Sequence, residues 1–244
     1  MKALIAGLSL LLLGGCATNG QPPWGALTAT GSCPKPGADQ ELSLNLADEM
    51  ANDGKLHASL ANLQGLPANL PQVRLRQAKA YRLLGRSEAE PLYRSLIGTC
   101  MAAEGEHGLG QLASAKGENG QAMAHLQRAA RLAPTDEKIR NDLGVVYLNQ
   151  LRVEDARFEF ITAMELKQSD PLAAINLVTL LIYQDNWKQA AQLVSQMGLN
   201  PDQVTEAQAR AEKLKGSSAP VAKAEASAKN QVATVSDAPS NPRN

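Results

Sequence analysis

A regular periodicity of about 34 residues is the feature that most constrains how this chain can fold. Ala122, Ala156 and Ala190 follow one another at equal intervals, and we call this interval the repeat period. The same offset aligns further positions of matching type: Leu109, Leu143 and Leu177; Gly110 and Gly144; the large apolar Leu126 and Phe160; and Ala129 and Ala163. A fixed period of this length is typical of stacked repeats, in which each unit buries its apolar face against its neighbours. Residues 71–200 are therefore predicted to form a repeat array.

The apolar composition indicates that these repeats are helical. The chain of 244 residues contains 39 Ala and 35 Leu, but only 16 Ile and Val together and 8 aromatic residues. Ala and Leu favour helices, whereas β-branched and aromatic residues suit pleated sheets. We therefore expect an all-α fold. The 24 basic and 24 acidic residues balance, which argues against nucleic-acid binding, since that needs a basic surplus.

The spacing within one unit resembles the tetratricopeptide repeat, a helix-turn-helix motif with the same period. One unit matches the motif nearly throughout, with Leu143, Gly144, Tyr147, Ala156, Phe160 and Ala163. The resemblance implies a solenoid of about four such units with flanking helices, in which small residues let paired helices approach closely. The unit at 109–134 lacks only the Tyr, and the unit at 177–201 has lost the Gly. An upstream unit is weaker, because its spacing to the next unit is slightly shorter than the repeat period.

The regions that flank the repeats differ from them in composition. We divide the chain into six predicted parts: a lipoprotein signal peptide at 1–15, a flexible tether at 16–39, N-terminal capping helices at 40–70, the tetratricopeptide repeats at 71–200, a C-terminal capping helix at 201–215 and a disordered tail at 216–244. The tether contains four prolines and several glycines, which disfavour regular structure. The tail lacks large apolar residues at regular spacing, so it has little to bury.

The first residues resemble the export signal of a bacterial lipoprotein. A positively charged start precedes an apolar run at 3–13, which is too short to span a bilayer, since that takes about 20 residues. The Leu-Gly-Gly-Cys sequence at 13–16 then resembles a lipobox, which implies lipid attachment at Cys16. Because Ala17 rather than Asp follows, the sorting rule of that class implies the periplasmic face of the outer membrane. An ordinary secretory signal with a chance Cys is the alternative.

Two cysteines remain once Cys16 is assigned to the lipid. Cys33 and Cys100 lie far apart in the sequence, and their separation fits no zinc-ligand spacing. An exported protein folds in an oxidising compartment, where a disulfide between them is permitted. We expect that bond, which would join the tether to the repeats and stabilise the fold by about 4 kcal/mol in the entropic account. Two unrelated thiols are the alternative.

No catalytic or cofactor-binding motif is recognisable in the sequence. The GxSxG, HExxH and P-loop patterns are absent. His57, His107 and His125 are far apart, which is typical of surface or groove side chains rather than of metal ligands. We therefore predict a protein that is not an enzyme and that uses no cofactor, metal or small-molecule substrate.

A repeat array of this type presents the first helices of its units along a concave face. Counting from the Leu-Gly positions places ten candidate groove residues there: Lys79, Arg82, Glu104, His107, Gln111, Ser114, Lys138, Asn141, Val145 and Leu148. Their mixed polarity suits a peptide or helix as ligand, with ordinary solvated positions as the alternative. The family's grip on a terminal carboxylate is not predicted. Lys138 fills one position of that clamp, but its other positions hold mismatched residues: Leu75, Lys79, Gly108 and Asp142.

A narrower resemblance covers roughly residues 71–200. The segments at 98–100, 107–110, 135–136, 140–144 and 154–160, with the lipobox and the low-complexity end, look like the TadD-type lipoproteins of tight adherence (Flp pilus) loci. This resemblance implies a pilotin-like factor. Its lipid would hold it at the membrane while it captures a segment of the secretin or of another pilus component. A general periplasmic scaffold for cell-wall enzymes or outer-membrane protein assembly stays open as the alternative.

Overall fold

The computed structural model describes residues 32–216, and within this part of the chain every regular element is a helix. The helices are α1 (Ala38–Asn52), α2 (Leu56–Gln64), α3 (Pro71–Leu83), α4 (Ala89–Arg94), α5 (Ala102–Ala115), α6 (Asn119–Leu132), α7 (Glu137–Asn149), α8 (Val153–Leu166), α9 (Pro171–Tyr183), α10 (Trp187–Met197) and α11 (201–216). The prediction of an all-α fold is confirmed. Of these helices, none has the length and apolar character needed to cross a membrane. The predicted signal peptide, Cys16, most of the tether and the tail from residue 217 lie outside the described residues.

Consecutive helices pack in pairs, which we number as hairpins one to five: α1 with α2, α3 with α4, α5 with α6, α7 with α8, and α9 with α10. Each hairpin also packs against the next, through α2 and α3, α4 and α5, α6 and α7, and α8 and α9. The last helix, α11, closes the array, and its Ala207 and Ala211 are fully buried in the core cluster that contains α9 residues. This arrangement is a linear helical solenoid.

The turn inside each hairpin is built in the same way. One residue there has positive φ: Gly54 (75°), Gly85 (68°), Gly117 (74°), Leu151 (57°) and Asp185 (59°). The next amide donates to the carbonyl five residues earlier, as in Lys55 to Met50 (2.8 Å) and Arg152 to Tyr147 (2.9 Å). This bond closes the first helix of the pair. The pair predicted as capping helices at 40–70 is therefore a further hairpin of the same construction, and its α1 begins at Ala38 after the N-cap Gly37.

Glycines on the first helices allow the large side chains of the second helices to approach closely. A Cβ atom added at Gly144 would lie 2.6 Å from Cε1 of Phe160, and one added at Gly110 would lie 2.6 Å from Cγ of Leu126. Phe160 and Leu126 are fully buried, so they have no space into which to move. The offset of one repeat period between these two glycines therefore reflects one close contact that recurs in hairpins three and four.

Hairpin two departs from this scheme because its second helix, α4, has only six residues. Its Tyr93 is buried and packs forward onto α5 of the next hairpin. A Cβ atom added at Gly108 would overlap the Tyr93 ring at Cε1. Gly108 is thus a packing residue that receives Tyr93 from the preceding hairpin.

A disulfide joins Cys33 to Cys100, which lies in the turn that precedes α5. It attaches the segment at 32–37 to the junction between hairpins two and three. The same segment is also held by a hydrogen bond of 2.8 Å from Nε2 of the buried Gln72 to the Pro34 carbonyl. The last part of the predicted tether is therefore fixed to the repeat array.

Candidate functional site

Two adjoining depressions lie along the first helices of hairpins two to five. One encloses about 320 Å³ between α3, α5 and α7, and the other encloses about 190 Å³ between α5, α7 and α9. Gln111 and Asp142 line both depressions, so the two form one continuous surface, which we name the central groove. Volumes of this size are at or below the lower end for small-molecule pockets and suit individual side chains of a bound segment.

Six of the ten predicted groove residues line the central groove: Arg82, Gln111, Ser114, Lys138, Asn141 and Val145. Lys79, Glu104 and His107 lie beside it. His107 bonds to the groove residue Asp142, and the charges of Lys138 and Glu104 act on Lys79.

The prediction for Leu148 is wrong, because this side chain is only 1% exposed and belongs to the main core cluster. Its counterpart one repeat period earlier is Ser114, which lines the groove. Helix α9 packs against α7, so an apolar side chain at this position of α7 is covered by protein. Equal register in two repeats therefore does not ensure equal exposure.

Asp142 is the centre of a hydrogen-bond network in the groove. Its Oδ2 lies 2.7 Å from Nε2 of His107 and accepts a bond of 2.8 Å from Nε2 of Gln111, while Oδ1 accepts from Nδ2 of Asn141 at 3.3 Å. Burial raises the pKa of Asp142. The hydrogen bond and charge of His107, with the bonds from Gln111 and Asn141, outweigh burial and hold that pKa below its ordinary value. Asp142 thus links α7 to α5 as a carboxylate.

The network continues toward the C-terminal end of the array. Asn176 on α9 donates to Oδ1 of Asn141 at 2.7 Å, and Arg210 on α11 donates to Oδ1 of Asn176 at 2.6 Å. Asp142, Asn176 and Arg210 follow one another at the repeat period, so they occupy the same register position in α7, α9 and α11. Neither Asn176 nor Arg210 was predicted from the sequence. The available signal was a single Asn within the apolar run of α9.

Three cationic side chains near the N-terminal part of the groove have no acidic partner among residues 32–216. They are Lys79 and Arg82 on α3 and Lys138 on α7. Arg82 donates only to the Tyr93 hydroxyl, at 3.4 Å. Lys79 reaches solvent, but the surrounding protein desolvates its ammonium group and lowers its pKa. The charge of Asp48 opposes this shift, and the charge of Lys138 adds to it.

Two buried carboxylates lie outside the central groove, each within one hairpin. Glu106 contacts Nδ1 of His125 at 2.6 Å and accepts from Nε of Arg128 at 2.9 Å. Glu159 accepts from Nη1 of Arg140 at 3.1 Å, and burial raises its pKa in spite of that bond. Glu106 and Arg140 are one repeat period apart, as are His125 and Glu159. Hairpin three therefore has the acid on its first helix and the base on its second, whereas hairpin four has the base first and the acid second. His125 is accordingly a structural residue that pairs with Glu106.

The three histidines lie in separate environments. His107 bonds to Asp142, His125 bonds to Glu106, and His57 is exposed on α2. Within the described part of the chain, no three His, Cys, Asp or Glu side chains are placed to hold a metal ion. The polar residues of the central groove form hydrogen bonds to one another or face solvent.

Comparisons with known proteins identify relatives of the same architecture. The chain is 42% identical over 213 residues to the TPR repeat-containing protein PA4299 of Pseudomonas aeruginosa, covering 86% of this chain and 85% of that protein. No family model matches the chain. The solved structure of Pseudomonas aeruginosa PilF is similar in fold, with a TM-score of 0.58 and 16% identity over 74% of this chain and 90% of PilF. The thermophilic TPR protein TTC0263 of Thermus thermophilus gives a TM-score of 0.54 and 18% identity over 71% and 97%.

Proposed function

The chain belongs to the family of TPR repeat-containing proteins, and on this premise we propose that it is a lipid-anchored adaptor which assembles the secretin of a Flp (tight adherence) pilus. Proteins of this family are scaffolds for protein–protein interaction. The finer assignment rests on the resemblance of residues 71–200 to TadD-type lipoproteins and on the lipobox at 13–16. It describes a pilotin-like role at the periplasmic face of the outer membrane.

The observation that supports this role best is the central groove. It runs continuously along first helices from α3 to α9 and presents charged, amide and apolar side chains together, such as Lys138, Gln111 and Val145. Such a mixture suits an extended or helical protein segment, whose side chains alternate in polarity. The carbonyl and amide groups of the groove helices are already used within the helices. Recognition would therefore depend on side chains.

The proposed mechanism is capture at the membrane. A lipid on Cys16 would restrict the array to the outer-membrane surface, since each buried CH₂ group contributes about 0.8 kcal/mol to anchoring. A secretin segment bound in the central groove would then be held at the same surface, which raises its local concentration for assembly. No covalent step is required.

Deletion of the gene tests the role in secretin assembly. We expect heat-resistant secretin multimers to disappear from the outer-membrane fraction and surface pili to be lost, with both restored by the wild-type gene. Unchanged multimers and pili would contradict the proposal. Crosslinking in intact cells identifies the partner, and crosslinks to cell-wall enzymes or to the outer-membrane assembly machinery in place of the secretin would favour the general scaffold.

Two single substitutions test the anchor. Cys16→Ala removes the acceptor of the lipid, so we expect the protein to leave the membrane fraction. Ala17→Asp is the matched control, because it keeps the lipid and, by the sorting rule of the class, should move the protein to the inner membrane. Membrane association of the Cys16→Ala variant equal to that of the wild type would contradict lipid anchoring.

A further inference from the structure

The two halves of the central groove differ in how their polar side chains are satisfied. From α7 to α11, Asn141, Asn176 and Arg210 form hydrogen bonds to one another in a continuous chain. From α3 to α7, the charged ends of Lys79 and Lys138 have no hydrogen-bond or ion-pair partner among the described residues. A ligand that enters the second half must break existing bonds, whereas a ligand in the first half can supply missing ones.

The unpaired charge on the groove side of α3 and at the start of α7 is positive. Arg82 lines the depression between α3, α5 and α7, Lys138 lines the adjoining depression, and Lys79 lies beside the groove, where the charge of Lys138 acts on it. Lys79, Arg82 and Lys138 are cationic and lack an acidic partner within residues 32–216, and Glu104 is the unpaired acid near them. The other acids near these cations are already engaged. Asp48 pairs with Arg76 at 2.7 Å, Glu137 pairs with Lys167 at 3.2 Å, and Asp142 is bonded to His107 and Gln111. The side chains without an ion pair are therefore three cations and one acid, and the hydrogen-bonded Asp142 carboxylate adds a second negative charge where α5 meets α7.

We propose that the first half of the central groove, between α3 and α7, binds an internal acidic segment of the protein partner. This inference rests on the proposed function and names the chemistry of the segment that the adaptor captures. Side-chain carboxylates would pair with Lys79, Lys138 and Arg82, forming charge-assisted hydrogen bonds that are about twice as strong as neutral ones. The part of the segment that follows, toward Asp142, would be uncharged.

A terminal carboxylate and a nucleic acid both fit this surface less well. A terminal carboxylate gripped across α5 and α7 would meet one cation, Lys138, but also the carboxylate of Asp142. A nucleic acid places a negative charge on every phosphate, so its backbone would pass both Glu104 and Asp142 with like-charge repulsion. An internal protein segment can place its acids at one end and its uncharged residues at the other.

Fluorescence anisotropy with the purified, lipidated full chain in detergent tests the proposal. The probe, called the Glu peptide, is a fluorescein-labelled dodecapeptide with an amidated C-terminus that alternates Glu and Ala in one half and Gln and Ala in the other. Its control has Gln for every Glu. We expect the Glu peptide to bind at least about ten-fold more tightly and to weaken as salt is raised. A free C-terminus should change the affinity by less than about two-fold.

Paired lysine variants locate the binding site. We expect K79A/K138A to bind the Glu peptide at least about ten-fold more weakly than the wild type, with an unchanged helical circular dichroism spectrum. The matched control K55A/K188A removes the same charge at two exposed positions outside the groove and should change affinity by less than about two-fold. Equal binding of the Glu and Gln peptides, equal losses in the two double variants, or binding that requires a free C-terminus would overturn the proposal.

The outcome separates this inference from the proposed function. If the acidic peptide fails to bind while secretin multimers still depend on the gene, the acidic-segment inference alone is wrong. If the peptide binds in the groove while deletion of the gene leaves the multimers unchanged, the secretin role alone is wrong.

Discussion

In hairpins three and four a buried side chain of the second helix packs on a glycine of the same hairpin, whereas in hairpin two it packs on a glycine of the next hairpin. In hairpin four, the Phe160 ring lies on Gly144 of the same hairpin. In hairpin two, Tyr93 lies on Gly108 of the next hairpin, and the turn after α4 is tied to the N-terminal segment through Cys100. A repeat with a short second helix can therefore remain part of the array when its buried aromatic side chain packs against the first helix of the next hairpin.

Among the changes that distinguish hairpin two from hairpins three and four, removal of the disulfide should lower the free energy of unfolding most. The double variant C33S/C100S should lose about 4 kcal/mol of unfolding free energy, because the bond closes a loop with a sequence separation of 67. Urea unfolding with and without reductant measures it. The wild type with reductant should behave like the variant, and the variant should not respond to reductant. A loss below about 1 kcal/mol would show that hairpin two does not need the covalent tie.

A methyl group at Gly108 should have the next largest effect. Gly108→Ala places its Cβ against the buried Tyr93 ring and should cost about 1–3 kcal/mol, measured by urea unfolding. Gly120→Ala is the matched control on α6, where no atom lies within 4 Å of the added Cβ, and it should gain up to about 1 kcal/mol. In a Tyr93→Leu background the cost of Gly108→Ala should shrink. Equal changes in unfolding free energy for the two alanine variants would show that the contact between Tyr93 and Gly108 does not stabilise hairpin two.

Substitution of the positive-φ turn residue should have the same effect on stability in hairpin two as in hairpin three. Gly85→Ala in hairpin two and Gly117→Ala in hairpin three should each cost about 1 kcal/mol, because both glycines have positive φ and an L side chain is strained there. Leu151→Gly, in hairpin four, should gain up to about 1 kcal/mol for the same reason. Thermal unfolding measures all three. A difference in sign between the two alanine variants would mean that the turn is not a shared feature.

The smallest effect concerns the polar link between hairpins three and four. Hydrogen bonds from His107 and Gln111, together with the charge of His107, outweigh burial and keep the pKa of Asp142 below its ordinary value in the folded state. Its contribution to stability is therefore present above the unfolded-state pKa and is lost as pH falls through the lower folded-state pKa. Asp142→Asn should cost about 1 kcal/mol near neutral pH and reduce the loss on acidification. Parallel stability–pH curves for the wild type and the variant would contradict this role.

The sequence predicted best those features that repeat within one hairpin. The repeat period identified Gly110 and Gly144 as sites of close approach, because each meets a side chain of the same hairpin at the same register. Tyr93 and Gly108 escaped detection because their contact joins two hairpins whose spacing departs from that period. The repeat period therefore predicts a contact only where both residues of the contact recur at that period.

The central groove was predicted in outline but not in its internal bonding. Counting along first helices located Lys138 and Gln111, since helical register fixes which residues share a face. Leu148 shares that register but is covered by protein, which depends on how the next hairpin packs. The bonds from Asn176 and Arg210 join hairpin four, hairpin five and the closing helix α11, so their partners depend on the stacking of the array and not on any single repeat.

Site-specific photo-crosslinking in intact cells shows whether the central groove captures the secretin. A photoreactive residue is placed at Ser114 or at Val145, which line the groove, and at Phe158, an exposed residue of α8 that lies outside it. We expect secretin adducts from Ser114 and Val145 and none from Phe158. Secretin adducts from Phe158 alone, or no adduct from either groove position, would contradict it.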